Sequence, residues 1–135
     1  MSSDVDWLRA TFERFNETGE MDFSRADPEI ELHSRPDVPD ATVWRGVDGV
    51  RGFFERTAES FDPIRWEPRE FTEHGRHVVV RCHIVAYGAA SGAPIEIDEA
   101  QLWTFRDGLL IRIQGFPTID EAYAAARELD ADAAT

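Results

Sequence analysis

Between Ile64 and Phe116 the chain alternates apolar and polar residues with a period of two, and three turn signals interrupt it: His74-Gly75, the 89–93 stretch around Gly92, and Asp107-Gly108. Only strands place successive side chains on opposite faces, and turns this short join antiparallel neighbours, with Asp107-Gly108 the strongest hairpin signal of the three. A chain carrying such a meander must bury one face of it, so the flanking segments have to supply the cover. Three of them have the periodicity of helices. Val5, Leu8, Phe12 and Phe15 recur at helical spacing up to Gly19. Val47, Val50, Phe54, Thr57, Ala58 and Phe61 do so up to Asp62-Pro63, and Ile119, Ala122, Tyr123, Ala126 and Leu129 near the end. Ser3 with Asp6, and Thr118 with Glu121, have capping-box spacing at two of the starts.

Ahead of Asp27-Pro28, residues 21–26 fit a short helical turn, closed because proline disfavours helix at the residue before it. Ile30 and Leu32 then alternate with Glu29, Glu31 and His33 as a strand, residues 34–42 with two prolines form a surface loop, and residues 130–135 fray as an acidic tail. At 135 residues without an internal repeat or linker, the expectation is one domain over residues 1–135 of the α+β class.

Charge and composition narrow the partners. Twenty-seven acids against fourteen bases give a formal charge of −13, a field that repels phosphate backbones and anionic lipid headgroups, so neither nucleic acid nor a membrane is an expected partner. The apolar runs are too short to span a bilayer, and Met1-Ser2-Ser3-Asp4 has no basic or apolar leader character, so the expected location is the cytoplasm. All fourteen bases are arginine, which excludes a lysine Schiff base. Cys82 is the one cysteine and is expected as a small core residue; no metal-ligand, Walker or dinucleotide spacing is present, and no metal or cofactor is expected.

Several segments carry a resemblance: Phe15-Asn16 with Gly19-Glu20-Met21-Asp22, Asp27-Pro28-Glu29-Ile30-Glu31-Leu32-His33, Trp44-Arg45-Gly46 before Phe53-Phe54, Arg76-His77-Val78-Val79-Val80-Arg81, and Leu102-Trp103-Thr104-Phe105-Arg106-Asp107-Gly108. Together they resemble the SnoaL-like branch of the NTF2-like superfamily over about residues 5 to 129. The resemblance implies a cone: a bent antiparallel sheet wrapped by three or four helices, open at one end to a mostly apolar pocket, and commonly dimeric through the outer sheet face. That family holds polyketide cyclases, epoxide hydrolases, ketosteroid isomerase relatives and members with no known reaction, so fold alone does not assign chemistry.

If residues 94–105 form a regular strand, Ile95, Ile97, Glu99, Gln101, Trp103 and Phe105 face the interior. Glu99 and Gln101 interrupt this apolar row, and a buried polar group needs a structural partner or a ligand; a β-bulge between Ile97 and Leu102 would instead turn Glu99 outward. His33 lies where, in the resemblance, isomerase-like members carry their catalytic carboxylate, which makes it a base candidate beside Glu99. Gln101 falls at the position of an acidic oxyanion donor. The tyrosine of the isomerase set corresponds here to Thr11, and an aspartate of the hydrolase set to the Gly115-Phe116-Pro117-Thr118 segment, so neither constellation transfers complete. Trp103 and Phe105 are the first candidates to contact a flat ligand, with Phe12, Trp44, Phe54, Cys82 and Ile113 around them. His74 and His77 flank a turn and are expected in solvent, and His83 on the outer face.

Two functions stay open. One is a cofactor-free isomerase, cyclase or hydrolase acting by general acid–base chemistry on a small, largely apolar carbonyl compound. The other is a non-catalytic ligand-binding or accessory protein with the same cone. A homodimer is expected because Val79, Val85, Tyr87 and Leu102 would otherwise leave an apolar patch on the outer face.

Overall fold

The computed structural model describes residues 3–134. Its elements are α1 (Ser3–Thr18), β1 (Ala26–His33), β2 (Val43–Arg45), α2 (Gly46–Ser60), β3 (Phe61–His74), β4 (His77–Gly88), β5 (Pro94–Arg106), β6 (Leu109–Phe116) and α3 (Ile119–Ala134). The α+β reading and the meander both hold. Asp107 and Gly108 take positive φ of 53° and 79°, the left-handed pair that a two-residue hairpin between β5 and β6 requires. The strands form one six-stranded sheet in the order β2-β1-β6-β5-β4-β3. It is mixed rather than wholly antiparallel: β1 pairs antiparallel with β2 on its outer side, with Leu32 opposite Trp44, and lies parallel to β6 on the other, with Leu32 beside Ile113 and His33 beside Gln114.

Register decides which side chains reach the interior. Pairing of β4 with β5 runs unbroken from His77 opposite Thr104 to Tyr87 opposite Pro94. No bulge intervenes, so Glu99 shares a face with Cys82, Gln101 and Trp103. On this inner face Val78, Val80, Cys82, Ile84, Trp103 and Phe105 pack with Ile30 and Leu32 of β1 against Val5, Leu8 and Phe12 of α1 and Val50 of α2. Asn16 fixes α1 to the sheet edge. Its side-chain amide donates to the Trp66 carbonyl at 2.8 Å and accepts from the Trp66 N–H at 2.9 Å, satisfying edge groups of β3 that would otherwise stay open.

The outer face departs from expectation. There α3 lays Ala122 and Ala126 on Val79, Ala100, Leu102 and Phe116 as a second core. Two of the four residues behind the dimer expectation, Val79 and Leu102, are thus covered within the chain, while Tyr87 stays exposed. Residues 130–134, expected to fray, continue α3 as helix, and residue 135 lies outside the described residues. Asp130 accepts from Arg76 Nε at 3.1 Å and from His77 Nε2 at 2.8 Å. His77 is fully buried rather than solvated, its Nδ1 2.8 Å from the Thr104 hydroxyl. Residues 21–26 form no helical turn: Ala26 already belongs to β1, and its N–H bonds back to Phe23.

Burial pushes the His77 pKa down although Asp130 pulls it up. The unfolded chain takes up that proton at about pH 6.5 and the folded chain only at lower pH, so the imidazole's contribution to stability is complete above about pH 6.5 and is lost as pH falls toward its folded pKa. The difference in denaturant-determined stability between wild type and His77→Gln should therefore shrink on going from pH 7.5 to 5.5. A difference that grows on acidification would show His77 folded in the charged form.

Candidate functional site

Alternate residues of β5 build a polar chain across the inner face. The Trp103 indole N–H can only donate, and it donates to Gln101 Oε1 at 3.0 Å. This fixes the Gln101 amide so that its Nε2 donates to Glu99 Oε2 at 2.9 Å. The other carboxylate oxygen of Glu99 accepts from Arg35 Nη1 at 3.1 Å, across from the 34–42 loop. Arg35 is held in turn by Asp37, which accepts at 3.0 Å from both Nε and Nη2.

Glu99 sits where two spaces meet. One is a cavity of about 60 Å³ lined by Phe12, Phe54, Gln101, Trp103 and Ile113 among others. The second is an open apolar cleft of about 370 Å³ that includes Arg35, Trp44, Ile64, Ile84, Ile95 and Ile97. Phe53, Trp66 and Glu99 line both. The Glu99 side chain is 8% exposed, and burial pushes its carboxyl above the usual carboxylate range, with the Gln101 hydrogen bond and the Arg35 charge opposing. Trp66 carries a further unmet need: its indole N–H is buried and finds no acceptor among the described residues.

Gly115 of β6 makes room for this carboxylate. A Cβ there would lie 2.7 Å from Glu99 Oε1 and 2.9 Å from its Cδ. Gly115→Ala should cost about 1–3 kcal/mol in chemical denaturation, the range for forcing a well-packed site apart. Pairing it with Glu99→Ala should restore part of that loss. Simple addition of the two single effects would mean that the glycine serves something other than the carboxylate.

Of the residues expected at the site, Glu99, Gln101, Phe12, Phe54, Trp103 and Ile113 come together at the cavity, and Trp44 lies in the cleft. Phe12 meets Trp103 edge-on at 5.7 Å. Phe105 is instead core, 2% exposed and packed edge-on against Trp7 at 6.1 Å. Cys82 lies opposite Glu99 in the buried core, and burial lifts its thiol to about 12, far from nucleophilic at neutral pH. The structure does not bring His33 to the others. Alternation puts it on the face opposite Leu32, where its Nε2 bonds Glu31 at 2.8 Å within reach of Arg112, and burial lowers its pKa. His83 lies on the outer face as expected, bonded to Asp98 and Glu96. The Thr11 hydroxyl donates to its own helix, at Trp7. Among the described residues no group of three or more His, Cys, Asp or Glu side chains is placed to hold a metal ion.

Arg35, Phe53 and Trp66 were missed in the sequence reading. Arg35 is separated from Glu99 by 64 positions and sits in a loop without periodicity. Phe53 adjoins Phe54 in the sequence, and helical spacing selected only Phe54.

A family model described as SnoaL-like domain matches residues 8–113. No curated protein matches the chain in sequence. Among solved structures, the fold is similar to an NTF2-like protein of unknown function from Burkholderia pseudomallei, with a TM-score of 0.71 and 19% identity over 85% of this chain and 90% of that one. TerC, co-crystallized with polyporic acid, gives 0.70 and 24% over 84% of this chain and 90% of its own. IdmH from Streptomyces antibioticus, a proposed polyketide cyclase, gives 0.69 and 20% over 84% and 91%. At these identities the likeness is one of fold.

Proposed function

Because the chain belongs to the SnoaL-like domain family, we propose that its cone binds a small, largely apolar carbonyl compound and that Glu99 exchanges a proton with it. The observation that carries this reading is the Glu99 carboxyl, buried at the junction of cavity and cleft with its proton affinity raised by that burial. A carboxyl whose pKa is moved toward neutrality is suited to acid–base work, and a low-dielectric wall strengthens what it does to a ligand. TerC, of similar fold, was co-crystallized with polyporic acid, and IdmH is a proposed polyketide cyclase; both support a small organic ligand here.

In this mechanism the Glu99 carboxylate takes a proton from the carbon next to the ligand carbonyl. The C–H electron pair becomes the C=C bond of an enolate, and the negative charge moves to the oxygen. The unpartnered indole N–H of Trp66 is the donor assigned to that oxygen, which would offset the cost of leaving it buried and unpaired. Gln101 positions the carboxylate rather than the substrate, since one of its N–H groups is already given to Glu99. Return of the proton to another carbon completes an isomerisation; attack of the enolate carbon on a second carbonyl completes a cyclisation. A cavity of about 60 Å³ admits only the reacting end, leaving the ligand's bulk in the cleft.

The test is solvent deuterium exchange at the α-carbon of small cyclic ketones and β-keto esters, followed by proton NMR. At least one should exchange faster with the protein than in buffer, with a rate that rises as a carboxyl titrates above its ordinary range. Ligands that bind, by calorimetry, yet exchange no faster than in buffer would support the non-catalytic cone. Compounds that neither bind nor exchange would overturn the reading.

A further inference from the structure

Among the described residues, Arg35 is the one basic residue lining the cavity and the cleft, and its fork is occupied by the chain itself. Asp37, half exposed and only two residues along the same loop, accepts from Nε and Nη2 at 3.0 Å each. This side-by-side pairing is the geometry in which a guanidinium binds any free carboxylate. We propose that Arg35 is an anion-recognition residue that Asp37 fills when no ligand is bound, so that the cleft takes an apolar molecule bearing a carboxylate or similarly acidic group at its polar end. The proposal rests on the preceding reading in placing the ligand in the same cleft.

Three features support it. The cleft wall beside Arg35 is apolar, with Ile95 and Ile97 each 39% exposed, so the body of such a ligand would cover side chains that now face water. Arg35 has a second, better-buried partner in Glu99, so exchanging Asp37 for a ligand anion leaves the guanidinium anchored. Asp37 is half exposed, so water can solvate its carboxylate on release, and it lies in the 34–42 loop, where it can rotate away without disturbing the strands. The net charge of −13 acts against anions only at long range, because salt screens exposed charges beyond about 8 Å at physiological ionic strength.

The experiment compares 2-naphthoate with 2-acetonaphthone, in which a methyl ketone replaces the carboxylate at nearly the same shape, by isothermal titration calorimetry. Asp37→Ala should tighten 2-naphthoate roughly tenfold, as expected for one charge-assisted pair made available, and leave 2-acetonaphthone unchanged. Arg35→Met should weaken 2-naphthoate by about tenfold or more and again spare the ketone. If Arg35→Met fails to fold, the Asp37→Ala comparison alone decides. Ketone binding with a naphthoate affinity that ignores Asp37 overturns this inference and leaves the function reading standing. Failure of both probes to bind wild type and Asp37→Ala overturns the two together.

Discussion

Glu99→Gln should slow the α-proton exchange of a bound ketone by roughly 10²–10⁴, the range for removing a general base, while circular dichroism and the denaturation midpoint stay close to wild type. The reason lies in what the amide keeps. Its oxygen still accepts from Gln101, so the geometry from Trp103 to position 99 is preserved; its NH2, a donor only, gives up the bond from Arg35 Nη1, and Arg35 keeps its two bonds to Asp37. What is lost is a group able to hold the proton. Burial already disfavours the charged form of Glu99, so the neutral side chain relieves desolvation even as it loses the Arg35 charge. Exchange at the wild-type rate in this variant would remove Glu99 from the chemistry.

The second large effect belongs to Trp103→Ala, which should lower stability by about 3–5 kcal/mol in urea or guanidinium unfolding. Trp103 is 4% exposed and packs edge-on against Phe12. Its removal opens the cavity, and the Gln101 oxygen loses its donor. Once free to rotate, that amide can present either end to Glu99, so exchange activity should fall as well. Trp103→Phe separates the two roles: it refills most of the volume without the N–H, so stability should largely recover while the hold on Glu99 does not.

What the sequence could show follows from the range of the interactions. The β5–β6 hairpin was legible because Asp107-Gly108 sets its own backbone, and the inward row of β5 was legible because the register to β4 carries no bulge. His33 was misplaced although the same alternation, with Ile30 and Leu32 buried, already turned it outward; the resemblance overrode the parity. His77 was read from its neighbouring turn, yet its burial is set by Asp130, 53 residues later. The stripe on α3 fitted either face of the sheet equally, because periodicity records that a helix is covered and not by what. Arg35 left no pattern at all, since a loop guanidinium meets its carboxylate only through the fold.

The most direct test of the account is a carbon-13 NMR pH titration of the Glu99 side-chain carboxyl in the ligand-free chain, assigned by its loss in Glu99→Gln. The account predicts a midpoint above the ordinary glutamate value of about 4.3, since burial outweighs the stabilisation of the charged form by Gln101 and Arg35. Stability contributed by this group should correspondingly decline as pH rises through that window, because the folded chain binds the proton more tightly than the unfolded one. A midpoint at or below about 4.3 would contradict it, leaving Glu99 a carboxylate held by Arg35 without the raised proton affinity that the reading requires.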